Sequence, residues 1–143
     1  MTDTREIRQK IGQTFVIGFD GFEPNNDVKK FITDNFIGGV IFLGRNLEGP
    51  AQVADLTNEL QELVPRVADR QQLLVSIDME GGRVNRLKAP FTQWPAMGIL
   101  GELGSASLGF KFAEMMASEL LAVGINLDFA PCVDIFTNPA NKV

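Results

Sequence analysis

The densest run of chemically capable side chains is Ile77 to Leu87, IDMEGGRVNRL, where two carboxylates and two guanidiniums follow an apolar stretch. Asp78 comes directly after the last apolar residue, so a packed strand would hold its carboxylate at a sheet edge. Arg83 and Arg86 lie three apart and would share one face of a helical turn. Gly81 and Gly82 permit positive φ or a close approach of backbone to another group. A carboxylate beside guanidiniums suits a ligand with several hydroxyls, because aspartate accepts from them and arginine donates in a fixed fork. An Asp–Arg salt bridge pinning a loop, with Gly-Gly as an ordinary turn, explains the same residues. Both readings stand at this level. The spacing matches neither a phosphate-binding P-loop nor a dinucleotide fingerprint.

Other candidates each carry a plainer reading. Asp78 and Glu80 lie two apart, but glycosidic acid/base work needs two carboxyls about 5–5.5 Å apart for retention, or farther apart for inversion. Sequence spacing does not reveal such a pair. Asp128 alternates with Leu127 and Phe129, so it is expected to point into the barrel or toward its mouth, where a buried carboxylate needs a partner. Trp94, with Phe91 and Pro95 nearby, has a face that could stack on a sugar, yet such clusters more often cover a core. Met115 and Met116 read as core. Cys132 follows Pro131 and reads as a small buried residue rather than a nucleophile. Asp55, Glu59 and Glu62 form a solvated helix face.

The elements that must position these groups alternate along the chain. Four apolar runs read as strands: Thr14-Phe19, Val40-Leu43, Leu73-Ile77 and Ile125-Ala130. A short helix over Thr4 to Ile11 puts Ile7 and Ile11 on one face. A second helix, introduced by Pro24-Asn25-Asn26, carries Val28, Phe31, Ile32 and Asn35. Pro50 starts a third, with a stripe of Val53, Leu56, Leu60 and Leu63, and Pro65 ends it. Asp78 to Gly104 reads as a long polar connection. Ser105 or Ser107 caps a further helix whose Leu108, Phe112, Met115, Leu120 and Val123 face inward.

Uniformly apolar strands separated by amphipathic helices indicate an α/β fold with a covered parallel sheet. A doubly wound sheet and a (β/α)8 barrel both fit, and four strands are half of the barrel. In either fold the loops leaving the carboxyl ends of the strands build the site. Those ends deliver Asp20, then Arg45 and Asn46, then Asp78, Glu80, Arg83 and Arg86, then Asp128 and Asp134. This asymmetry favours an enzyme.

Composition excludes several classes. The 143 residues carry a net charge of −5 without any Lys/Arg cluster, so no nucleic-acid partner is expected. The polar start MTDTREIRQK and the lack of a long apolar run argue for a cytoplasmic protein without membrane attachment. The single cysteine fits a reducing compartment. Histidine is absent, which removes Ser-His-Asp and Cys-His catalysis and His-ligated zinc from this chain alone.

The Ile77–Leu87 run resembles the signature of family 3 glycoside hydrolases, especially their bacterial β-N-acetylhexosaminidase branch. Four further segments agree in order and spacing: IGQTFVIGF from Ile11, GGVIFLGRN from Gly38, WPAM from Trp94 and GINLDFAPCVD from Gly124. The resemblance implies a (β/α)8 TIM barrel that releases terminal β-linked N-acetylglucosamine with retention, typically in peptidoglycan turnover, without metal or organic cofactor. It implies that residues 1–143 are the amino-terminal half of one catalytic domain. Asp78 and Arg86 match positions that hold the hydroxyls of the non-reducing sugar. Glu80 and Arg83 match motif positions with a structural role, and Asp128 joins them as a weaker site candidate. The family's Lys-His pair, its histidine acid/base loop and its aspartate nucleophile match nothing in this chain. No catalytic residue is therefore assigned here, and the nucleophile and acid/base are expected beyond Val143. On that basis the chain by itself is expected to be inactive and to self-associate through its exposed half-barrel surfaces. A β-glucosidase of the same family and a non-catalytic sugar-binding or assembly protein remain the alternatives.

Overall fold

The computed structural model describes residues 4–64, 72–133, 137–138 and 140. Helix α1 spans Thr4–Gly12 and precedes strand β1, Val16–Ile17. Helix α2, Asn26–Asp34, leads to β2, Gly39–Phe42, and α3, Pro50–Glu62, leads to β3, Leu74–Ile77. A hairpin of β4, Met79–Gly81, and β5, Val84–Asn85, follows at once. Helices α4, Gly98–Leu103, and α5, Ala106–Ala122, then precede β6, Leu127–Asp128.

The main sheet has the order β1-β2-β3-β6, and all its pairs are parallel. Each new strand is added beside the previous one, without the reversal of order that a doubly wound sheet requires. The burial pattern agrees with that. Val40, Phe42, Val75 and Ile77 share one face and are all fully buried. The register sets Val16, Gly39 and Leu74 side by side on the other face, where Val16 and Leu74 are 39% and 43% exposed. One face is sealed by helices and one is open, as in an arc cut from a barrel.

The ladders are shorter than the apolar runs predict, most of all at the outer strands β1 and β6. Among the described residues those strands pair on one side only, and regular pairing ends after two residues. Single bonds continue beyond them, from the Gly39 amide to the Phe15 carbonyl (3.1 Å) and from the Phe129 amide to the Ile77 carbonyl (2.9 Å). The larger correction concerns Asp78 to Gly104, which is a hairpin and a short helix in addition to loop.

The helices begin where the capping residues indicate. Asn25 Oδ1 accepts the Val28 amide at 2.9 Å, Pro50 opens α3, and Ser105 Oγ accepts the Leu108 amide at 3.3 Å. In α3 the expected Val53, Leu56 and Leu60 are buried; the proposed stop at Pro65 lies outside the described residues. The α5 stripe is narrower and shorter than expected. Phe112, Met116 and Leu120 are buried at four-residue spacing, whereas Met115 and Leu108 are 60% and 40% exposed. Met115 lies beside the buried line, while Leu108, four residues before Phe112, continues that line into the exposed first turn of the helix. Cys132 is exposed, not buried as expected, because the chain leaves the sheet after β6.

Polar side chains finish what the short ladders leave open. Asn126 accepts the Val75 amide (2.8 Å) and donates to the Leu73 carbonyl (3.0 Å), while Gln61 of α3 bonds both the amide and the carbonyl of Leu73 at 2.9 Å. Asn46 is wholly buried and ties the ends of the first two strands together. It accepts the Leu43 amide (3.0 Å) and donates to the carbonyls of Phe19 (3.0 Å) and Gly21 (2.9 Å). Replacing it takes this partner from the Leu43 amide and the Gly21 carbonyl and leaves the Phe19 carbonyl with Arg45. Asn46→Ala is expected to lower unfolding free energy by about 2–3 kcal/mol. A urea midpoint shifted down at unchanged slope would show this, and an unshifted midpoint would contradict it.

Candidate active-site rim

Asp78 leaves β3 immediately after Ile77, continuing the alternation that places Ser76 on the same face as Leu74. From there the chain makes a tight antiparallel reversal, pairing Met79 with Asn85 and Gly81 with Val84. Gly81 and Gly82 have φ of +74° and +57°, a region that favours glycine. Close approach is also required: a Cβ on Gly81 would run into the Pro95 carbonyl oxygen, and one on Gly82 would sit 2.8 Å from the Ala96 Cβ.

The reversal returns Arg86 to Asp78, with Nη2 3.4 Å from Oδ2. Their side chains are 38% and 29% exposed, so the pair is neither sealed off nor fully solvated. At that length the contact is loose, and it engages one of the five guanidinium N–H groups. The neighbouring Nε is buried without a hydrogen-bond partner among the described residues. Carboxylate oxygens and guanidinium donors are thus presented together at the carboxyl edge of the sheet.

The other rim candidates fall differently. Arg83 sits at the exposed hairpin turn, not on a helical face shared with Arg86. The backbone there is extended or turning, and an extended chain directs residues three apart to opposite sides. Glu80 is partly buried within β4. Arg45 pairs with Asp20 at 2.5 Å and donates to the Phe19 carbonyl at 3.0 Å, which joins the rim ends of the first two strands. Asn46 is buried and structural. Asp134 lies outside the described residues.

Asp128 is in register with Ile77, on the helix-covered side, and borders a cavity lined by Phe112, Met116 and Leu120 of α5. That differs from the barrel interior expected from its neighbours, because the strand alternation runs through Leu127 on the other face. Its Oδ1 accepts the Met79 amide at 2.9 Å. Desolvation raises its pKa above the ordinary 3.8, the Met79 bond opposes that rise, and the charges of Asp78 and Glu80 add to it. Among the described residues no group of three or more His, Cys, Asp or Glu is arranged to hold a metal ion, and no helix is long and apolar enough to cross a membrane.

Trp94 is 8% exposed and packs edge-on against Phe112, with ring centroids 5.0 Å apart. It covers the core, and its face is not offered to a ligand. The residue that sequence reading missed is Glu119 of α5, which accepts from the Thr92 amide (2.8 Å) and from Trp94 Nε1 (3.2 Å). No local pattern signals it, since its partners lie 25 and 27 residues away.

Residues 6–143 match the model of the glycosyl hydrolase family 3 N terminal domain, and the chain belongs to that family. A β-hexosaminidase of Alkalilimnicola ehrlichii is 33% identical over 126 residues, covering 84% of this chain and 35% of the relative. The solved glycoside hydrolase family 3 β-N-acetylglucosaminidase from Paenibacillus sp. FPU-7 is 46% identical with a TM-score of 0.87, over 96% of this chain and 26% of that one. NagZ from Neisseria gonorrhoeae, solved in complex with N-trifluoroacetyl-D-glucosamine, is 32% identical with a TM-score of 0.72, over 81% and 35% of the two chains. This chain spans about a third of the length of the curated relatives it matches. Its four parallel strands are an arc of the α/β barrel that these structures share.

The raised Asp128 pKa sets a pH dependence. Its folded value lies above the unfolded one, so the protonated form contributes stability at low pH. That contribution is lost as pH rises from about 3.8 through the folded value. Asp128→Asn retains the acceptor for Met79 without the charge. Its stability relative to the parent should therefore increase between about pH 3 and about pH 7. Chemical unfolding across that range checks the sign, and a relative loss at the higher pH would contradict it.

Proposed function

We propose that this chain is the amino-terminal half of one (β/α)8 catalytic domain and forms the sugar-holding part of a retaining β-N-acetylhexosaminidase acting in peptidoglycan turnover. Asp78 accepts hydrogen bonds from hydroxyls of the non-reducing N-acetylglucosamine, and Arg86 donates to them from the same edge. Glu80 and Arg83 shape the hairpin that joins the two. The observation that carries this reading is the loose, half-exposed Asp78–Arg86 pair at the carboxyl edge of a parallel sheet. An N-acylglucosamine bound to a relative of the same family supports it.

In the whole enzyme an aspartate attacks the anomeric carbon, the protonated leaving group departs, and a glycosyl-enzyme forms. Water then releases the sugar with net retention. This reading takes the nucleophile and the acid/base from the part of the relatives' length that this chain does not span, and it needs no cofactor. The protein works in the reducing cytoplasm, where Cys132 stays a thiol.

Incubating the chain with a chromogenic N-acetyl-β-glucosaminide should give no turnover, while calorimetry should detect N-acetylglucosamine binding that Asp78→Ala abolishes. Turnover at the rate of an intact glycosidase, or binding indifferent to Asp78→Ala, would overturn the assignment. The open face with Val16 and Leu74, together with exposed Phe15 and Phe31, should also drive self-association. Sedimentation velocity should then show mass rising with concentration. A monomer throughout would contradict that part.

A further inference from the structure

We propose that Glu119, on a helix remote in sequence from the rim, is a positioning residue for the Asp78–Arg86 pair. The proposal rests on the sugar-binding reading above for its ligand, though the linkage itself is structural. A hairpin with strands of three and two residues does not hold its own geometry in water. Its shape must be imposed by what it leans on, and that is the segment from Phe91 to Ala96. The Gly82 amide donates to the Trp94 carbonyl at 2.8 Å, and Asn85 Nδ2 donates to Gln93 Oε1 at 3.0 Å. Gly81 sits close against the backbone of Trp94 and Pro95, and Gly82 against Ala96, so a shift of this segment moves the turn with it.

The segment has little regular structure of its own, and α5 fixes it through two residues on one helix face. Phe112 and Glu119 are seven apart, which is two turns. Phe112 meets the Trp94 ring edge-on, and Glu119 takes the two N–H groups of Thr92 and Trp94, one on each carboxylate oxygen. Bonds to a carboxylate are charge-assisted and stronger than neutral ones. The indole is therefore gripped at its ring and at its nitrogen, while its own carbonyl holds the hairpin turn. The path from Glu119 through Trp94 and Gly82 sets where Arg86 returns relative to Asp78. Phe112 alone would leave the indole free to slide along the helix.

Glutamine at 119 keeps one acceptor oxygen for one of the two donors; alanine keeps none. Ile32→Ala serves as the comparison, since Ile32 is buried on a different helix, α2. The experiment measures hydrogen exchange at the Gly82 amide and at Trp94 Nε1, with calorimetry using N-acetylglucosamine on the same samples. Glu119→Ala should speed exchange at both positions and weaken the sugar roughly tenfold. Glu119→Gln should fall between it and the parent. Ile32→Ala should lower thermal stability with no selective change in exchange at those two sites. Unchanged exchange in Glu119→Ala overturns the linkage, and faster exchange with unchanged affinity overturns the positioning role. If the parent chain binds no N-acetylglucosamine while exchange responds as stated, the sugar reading falls and the linkage stands.

Discussion

Arg86 reaches Asp78 because eight residues of chain double back on themselves immediately beyond β3. Two consecutive glycines at positive φ turn that chain, and the carbonyl of Trp94 receives the amide at the turn. Without the reversal the two charges would diverge along an extended strand. With it, an acceptor and a fork of donors stand together where the parallel sheet ends. The remaining architecture serves that placement: β3 is central, flanked by β2 and β6, and carries the residues just inside the rim.

Polar side chains do much of the work that long strands do elsewhere. The ladders of β1 and β6 are two residues long, and Asn46, Gln61 and Asn126 supply bonds from side chains in their place. This is how a sheet whose outer strands pair on one side among the described residues keeps its strand ends in line. Asp128 belongs to the same set. Its bond to Met79 ties β6 to the start of the hairpin, at the cost of a partly desolvated charge near Asp78 and Glu80.

Much of this was legible in the sequence. Four apolar runs, their helix caps at Asn25, Pro50 and Ser105, and the position of Asp78 after β3 all follow from local patterns. The hairpin was not, because strands of two and three residues are too short to alternate visibly, and Arg83 and Arg86 were consequently set on a helical face. Asp128 was misdirected for a related reason. Alternation shows that neighbours face opposite ways, but only the register with Ile77 shows which way is which. Met115 looks like core in a helical pattern, yet the buried line of α5 passes beside it through Met116, and Leu108 continues that line only where the helix start is exposed. Glu119 gave no signal at all, since its value depends on two N–H groups brought to it from a distant loop.

The central claim is that the rim at Asp78 and Arg86 grips a sugar. A nuclear magnetic resonance titration of the labelled chain with N-acetylglucosamine tests it most directly. Saturable amide shifts should concentrate at residues 78–86, with the Arg86 side chain moving in step. Saturation elsewhere, such as the groove between α1 and α2 lined by Ile11, Phe15 and Phe31, with the hairpin unmoved, would contradict it.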